Sequence, residues 1–233
     1  MSTEGRNRIK MASSANAVWC HNDLRSIAST PIGQLNERTQ AGHFLIELVR
    51  REPLGHVLDI GTWNGLGSTK CFLLGLQGHS YSSFTSLECN RDKQRLALKN
   101  LESLLTEKDR LLWGSILTPD EAPLERVCEL FPEVRTDREF QRWHTIDMSN
   151  VALSPNVLDQ IPGELDFVLF DGGEFTTWFE FEKLLPRCSK YIALDDCDVA
   201  KCKAIRERLQ KDSGWVEITY IKERNGFSAF RKA

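Results

Sequence analysis

Glycines and acids stand in this chain at spacings that suit a bound nucleotide-like ligand. In Val57-Leu58-Asp59-Ile60-Gly61-Thr62-Trp63-Asn64-Gly65-Leu66-Gly67-Ser68-Thr69 an apolar run ends in an acid, passes through a glycine-rich turn and opens into an amphipathic segment. Strand, loop and helix in that order bring unpaired N–H groups and the positive end of a helix dipole to one place. Glycine lets the loop backbone approach a ligand closely. The glycines read G-x-x-x-G-x-G, with Trp63 where the dinucleotide fingerprint G-x-G-x-x-G needs glycine. That spacing argues against a nicotinamide cofactor.

Acids recur at the carboxyl ends of segments that read as strands: Asp59, Glu88, Asp171, and Asp195 with Asp196. A carboxylate such as Glu88 can accept hydrogen bonds from two vicinal ribose hydroxyls. A second reading makes Glu88 an acid preceding the next helix. His144, in Arg142-Trp143-His144-Thr145-Ile146-Asp147, is a candidate general base if its imidazole is neutral and near the site; its other reading is packing. Trp143, Phe175, Trp178 and Phe179 could wall a substrate pocket, Phe179 equally well belonging to the core.

The elements that must carry these residues alternate. Helical spacing runs over Ile32 to Arg51, and strands are expected at His56–Ile60, Ser83–Leu87, from Leu111 to Trp113, at Leu165–Phe170 and at Tyr191–Leu194. Helices are expected at Ser68–Leu76, Arg91–Leu105, Leu124–Phe131, Asp137–Trp143, Thr176–Leu185 and Lys201–Gln210. Trp215–Ile221 and Phe227–Phe230 flank Arg224-Asn225-Gly226 and read as a terminal hairpin with an Asn-Gly turn. This is an α/β, doubly wound, mostly parallel seven-stranded sheet closed by a C-terminal antiparallel hairpin. Residues 1–15 read as a polar tail, and 16–233 as a single domain with an insert at about 119–163.

The glycine string resembles motif I of class I S-adenosylmethionine-dependent methyltransferases. Within them it is most similar to small-molecule O-methyltransferases, whose loop commonly reads acid-x-Gly-Thr-x-x-Gly. The resemblance spans roughly Ile32 to Lys232. It implies S-adenosylmethionine as cofactor and a cofactor set of Asp59, Gly61, Thr62, Trp63, Gly65, Ser68, Glu88, Ser115 and Asp171. In that set Glu88 meets the ribose, and Gly61, Thr62 and Trp63 lie against the methionine part. Ser68 lies near its carboxylate, and Gly114 and Ser115 near the adenine. A Cβ at Gly61 is expected to intrude on the ligand.

In this topology the fourth and fifth strands are neighbours, so Asp171, Asp195 and Asp196 should converge. Unpaired, they would repel and raise one another's pKa. A divalent cation would remove that penalty, and oxygen ligands select Mg²⁺ or Ca²⁺, with Mn²⁺ also suitable. The metal-dependent members of the resembled group use an Asp and an Asp-Asn or Asp-Asp pair at these strand ends, with Asp171 central to catalysis. Glu174 departs from the His or Asp common there, and Pro186-Arg187-Cys188-Ser189-Lys190 replaces the usual Pro-Gly-Gly turn. The other reading has Asp171 touching cofactor or substrate while the Asp195–Asp196 pair caps the next helix.

Net charge of −3 and a pI near 6.0 create no field favouring nucleic acid or anionic membrane. No apolar stretch is long enough to span a bilayer. Seven cysteines without a C-x-x-C pair read as reduced thiols in a cytoplasmic protein. The expected partner is a small-molecule methyl acceptor; a homo-oligomer stays open. Two rival functions stand beside methyl transfer: an NAD(P)-dependent oxidoreductase and a non-catalytic cofactor-binding protein.

Overall fold

The computed structural model describes residues 32–233. The expected tail over 1–15, the stretch 16–31 and Cys20 lie outside the described residues. Seven strands form one sheet: β1 (His56–Ile60), β2 (Ser83–Glu88), β3 (Asp109–Trp113), β4 (Leu165–Phe170), β5 (Cys188–Asp195), β6 (Trp215–Ile221) and β7 (Phe227–Lys232). Their order is β3-β2-β1-β4-β5-β7-β6. The pairs among β1 to β5 are parallel, and β7 runs antiparallel to both β5 and β6. The order reverses between β1 and β4, which opens a crevice at the carboxyl ends of those two strands.

Side chains alternate between the two faces of each strand, and both faces are covered. On one face Val57, Phe84, Phe167 and Tyr191 pack with α1 (Gln40–Arg51), α2 (Ser68–Leu76) and α3 (Arg91–Leu101). On the other, Leu58, Ile60, Phe170 and Ile192 pack with α4 (Leu124–Leu130), α5 (Arg138–Leu153), α6 (Thr177–Leu184) and α7 (Ala200–Lys211). Burial on both sides explains why Leu165–Phe170 is almost continuously apolar.

Element boundaries depart from sequence expectation where side chains bond to the local backbone. The first helix begins at Gln40, not at Ile32. Thr39 Oγ1 accepts the Gly42 N–H, and Asn36 Oδ1 accepts the Arg38 N–H, holding residues 36–39 in a turn. α3 stops at Leu101, four residues early, where the chain turns toward Thr106 and Asp109. α5 runs ten residues beyond the expected Trp143 because Phe140, Trp143, Met148 and Val151 find the core beneath a mostly polar sequence. The hairpin connection spans residues 222–226, with left-handed backbone at Arg224 and Gly226, rather than a two-residue Asn-Gly turn.

Candidate functional site

The crevice has two halves. The first is the loop after β1. Gly61 and Thr62 both donate their N–H to the Leu87 carbonyl (3.0 Å each), tying this loop to the end of β2. Trp63 follows with left-handed backbone (φ 48°), and its N–H donates to Glu88 Oε2 at 2.7 Å. Asn90 N–H donates to Glu88 Oε1 at 2.8 Å. The half-buried Glu88 carboxylate is thus fixed by one backbone donor on each oxygen, and each oxygen keeps a lone pair for another donor. Burial raises its pKa, against the pull of Lys93 and these N–H groups.

Asp59, expected among the cofactor contacts, is fully buried. It accepts hydrogen bonds from Ser68 Oγ (3.0 Å), Thr69 Oγ1 (2.6 Å) and Ser86 Oγ (2.8 Å). Ser68 and Thr69 open α2, so the acid faces the positive end of that helix. Thr62 Oγ1 joins the network through Ser86 Oγ at 2.5 Å. Asp59, Thr62 and the Ser68 hydroxyl therefore shape the loop from below.

Packing also explains two of the loop glycines. A Cβ on Gly61 (φ 105°) would strike the Asp171 carbonyl. A Cβ on Gly65 (φ 83°) would meet the Leu101 side chain at 2.7 Å, so this glycine admits α3 to the loop. Ser115 is also turned inward: its Oγ accepts the Leu117 N–H at 3.0 Å, and its backbone is bonded to Pro155 and Val157.

The second half lies at the ends of β4 and β5. One carboxylate oxygen from each of Asp171, Asp195 and Asp196 lies within 4.8 Å of the others. The convergence expected from neighbouring strands is present, but sequence reading missed what sits among these acids. Lys201 Nζ, on a side chain only 7% exposed, donates to Asp171 Oδ1 and, at 3.2 Å, to Asp196 Oδ2. Asn225 Nδ2, from the β6–β7 connection, donates to Asp196 Oδ1 at 3.0 Å. Burial alone would lower the Lys201 pKa; Asp171 and Asp196 beside it push it well above its usual value, so the ammonium keeps its charge. Burial and the Asp196 charge raise Asp195 to about 6. A signal for Lys201 existed in the sequence: a lysine in the first turn of a helix opposes the dipole and needs an acid nearby.

The donor chemistry of the three acids suits a hard cation, yet the set as arranged does not fit one. Two of the three carboxylates already hold an ammonium.

Other acids crowd this half. Asp147, on α5, accepts the Phe175 N–H at 3.1 Å and is pushed by burial to about 6. Glu174 is raised by burial to about 7, against the pull of the Lys201 charge. Glu180 is 3% exposed, its Oε2 has no hydrogen-bond partner, and burial raises it to about 8. His144 packs its ring against Phe175 (centroids 5.7 Å apart), and its buried Nε2 has no partner. Burial lowers its pKa. Phe175 and Phe179 belong to the core, with Trp143 and Trp178 partly buried against it.

No protein-family model and no curated protein matches the chain. Solved structures do. The chain is similar to an O-methyltransferase from Bacillus cereus in complex with S-adenosylhomocysteine, at 16% identity and a TM-score of 0.56, over 88% of this chain and 86% of that one. It is similar to a methyltransferase from Podospora anserina bound to S-adenosylhomocysteine, at 13% identity and TM-score 0.55, over 82% and 77%. A methyltransferase from Geobacter sulfurreducens matches at 13% identity and TM-score 0.52, over 83% and 79%. The chain has the methyltransferase fold.

Proposed function

We propose that this chain is an S-adenosylmethionine-dependent methyltransferase acting on an oxygen of a small molecule. The observation that carries the reading is the Glu88 carboxylate at the end of β2. It is held by the Trp63 and Asn90 N–H groups beside the glycine loop and keeps a lone pair on each oxygen. Two vicinal ribose hydroxyls are the complement of that arrangement. The bulky Trp63 stands where a dinucleotide loop needs glycine, which disfavours the oxidoreductase reading.

S-adenosylmethionine, when bound, supplies a methyl carbon on a sulfonium, transferred by in-line displacement. The protein's part is to align the acceptor and take its proton. Glu174 is the group suited to that: half-buried, raised to about 7 and so ionised over the upper physiological range. His144 is committed to packing on Phe175. Lys201, held by Asp171 and Asp196, keeps a positive charge close enough to favour ionised Glu174. The Glu174 carboxylate would take the proton that the acceptor oxygen gives up. No described helix is long and apolar enough to cross a membrane, and the free cysteines suit a reducing compartment such as the cytoplasm.

Calorimetric titration tests the cofactor. S-adenosylmethionine should bind with one-to-one stoichiometry, and NAD should not. Untargeted profiling for a methylated product that depends on this protein would then reveal the acceptor. Binding of NAD in preference would overturn the reading.

A further inference from the structure

We propose that Lys201 is the resident cation of this site and that its ammonium takes the place a divalent metal would hold among Asp171, Asp195 and Asp196. The inference rests on geometry and not on the methyltransferase reading. The three carboxylates share one small volume, with an oxygen of each within 4.8 Å of the others. A divalent cation would have to sit roughly 2.0–2.6 Å from those oxygens. Lys201 Nζ already donates to two of them, Asp171 Oδ1 and Asp196 Oδ2. A metal coordinated there would lie against the ammonium, cation to cation, in a poorly solvated place.

Nor can the lysine leave without cost. Its side chain is almost wholly buried, on the first turn of α7. Swinging the ammonium out would discard two charge-assisted hydrogen bonds. Asn225 holds the outer oxygen of Asp196 at 3.0 Å. Asp196 itself sits in left-handed backbone (φ 57°), a conformation that costs a non-glycine residue energy. The acids are thus arranged around an ammonium. Lys201 is a positioning residue: it neutralises the strand ends and fixes the Asp171 and Asp196 carboxylates.

Mn²⁺ binding to the purified full chain, read by electron paramagnetic resonance of the free ion, tests this without any activity assay. Wild type should bind Mn²⁺ no better than Asp171→Asn at neutral pH. Lys201→Ala, with an unchanged circular dichroism spectrum, should bind it about tenfold or more tightly than wild type. Adding Asp171→Asn to Lys201→Ala should abolish that gain. If Lys201→Ala does not fold, Lys201→Met fills the same space and frees the same carboxylates. A stoichiometric Mn²⁺ site in wild type that Asp171→Asn removes would overturn the proposal, as would a folded Lys201 variant with no gain. Failure here would leave S-adenosylmethionine binding untouched, so the two readings can fall separately.

Discussion

Gly61 and Asp171 meet backbone to backbone: the Gly61 α-carbon faces the Asp171 carbonyl so closely that a Cβ would overlap it. The contact follows from the sheet, where Asp171 N–H donates to the Ile60 carbonyl at 3.0 Å and joins β4 to β1 at the point where strand order reverses. It locks together the two halves of the crevice. Gly61→Ala should therefore act through the protein and not only through the ligand. Left-handed strain of about 1–3 kcal/mol adds to the overlap. Thermal unfolding of the unliganded variant should show a clear loss of stability. A variant as stable as wild type that merely lost cofactor affinity would refute this account.

Glu88→Gln is the sharper test of the ribose contact. The amide keeps one acceptor oxygen for Trp63 or Asn90 but loses the other and its charge. Hydrogen bonds to charged groups are worth about 1.5–3 kcal/mol each, so affinity for S-adenosylmethionine should fall about tenfold or more by calorimetry. Unchanged affinity would remove Glu88 from the site.

Asp59→Ala should behave differently. Three hydroxyls, on Ser68, Thr69 and Ser86, would lose their buried acceptor. Stability should drop by roughly 3 kcal/mol or more, seen as a shift of the denaturant midpoint. Residual cofactor affinity in the fraction that stays folded should be modestly affected, because Asp59 has no exposed surface to offer a ligand.

If Glu174 is the proton acceptor, kcat/KM should rise with pH through about 7 and then level, as the carboxylate ionises. Glu174→Gln should lower kcat by about a hundredfold and erase that limb of the profile. A profile unaltered in shape would return attention to His144.

Glu180 makes a stability prediction with a definite sign. Burial raises its pKa from 4.5 to about 8, so the folded state holds the proton more tightly than the unfolded chain. Stability is then greatest below the unfolded value and falls as pH rises toward 8. Glu180→Gln removes the titration. Its melting temperature should match or trail wild type at pH 5 and exceed it at pH 8.5. A difference independent of pH would sink the assignment.

Local chemistry in the sequence already specified most of the elements. β1, α2, β4 and β6 begin and end where their periodicity and flanking turns place them, because alternation, apolar runs and glycine breaks are properties of neighbouring residues. The acids at the strand ends were legible for the same reason, and neighbouring strands four and five implied that Asp171, Asp195 and Asp196 meet. What the string could not show is direction and partnership. Asp59 and Glu88 both stand at the carboxyl ends of neighbouring strands, yet one is bonded beneath α2 to three hydroxyls and the other is held by two backbone N–H donors. Nor does the sequence show that Gly61 lets the loops after β1 and β4 touch. Lys201 is separated from Asp171 by thirty positions, and only the packing of α7 over β4 and β5 carries its ammonium among the carboxylates. Charge compensation acts through space at a few ångströms, so the cation beside Asp171 and Asp196 emerged only when the chain had folded.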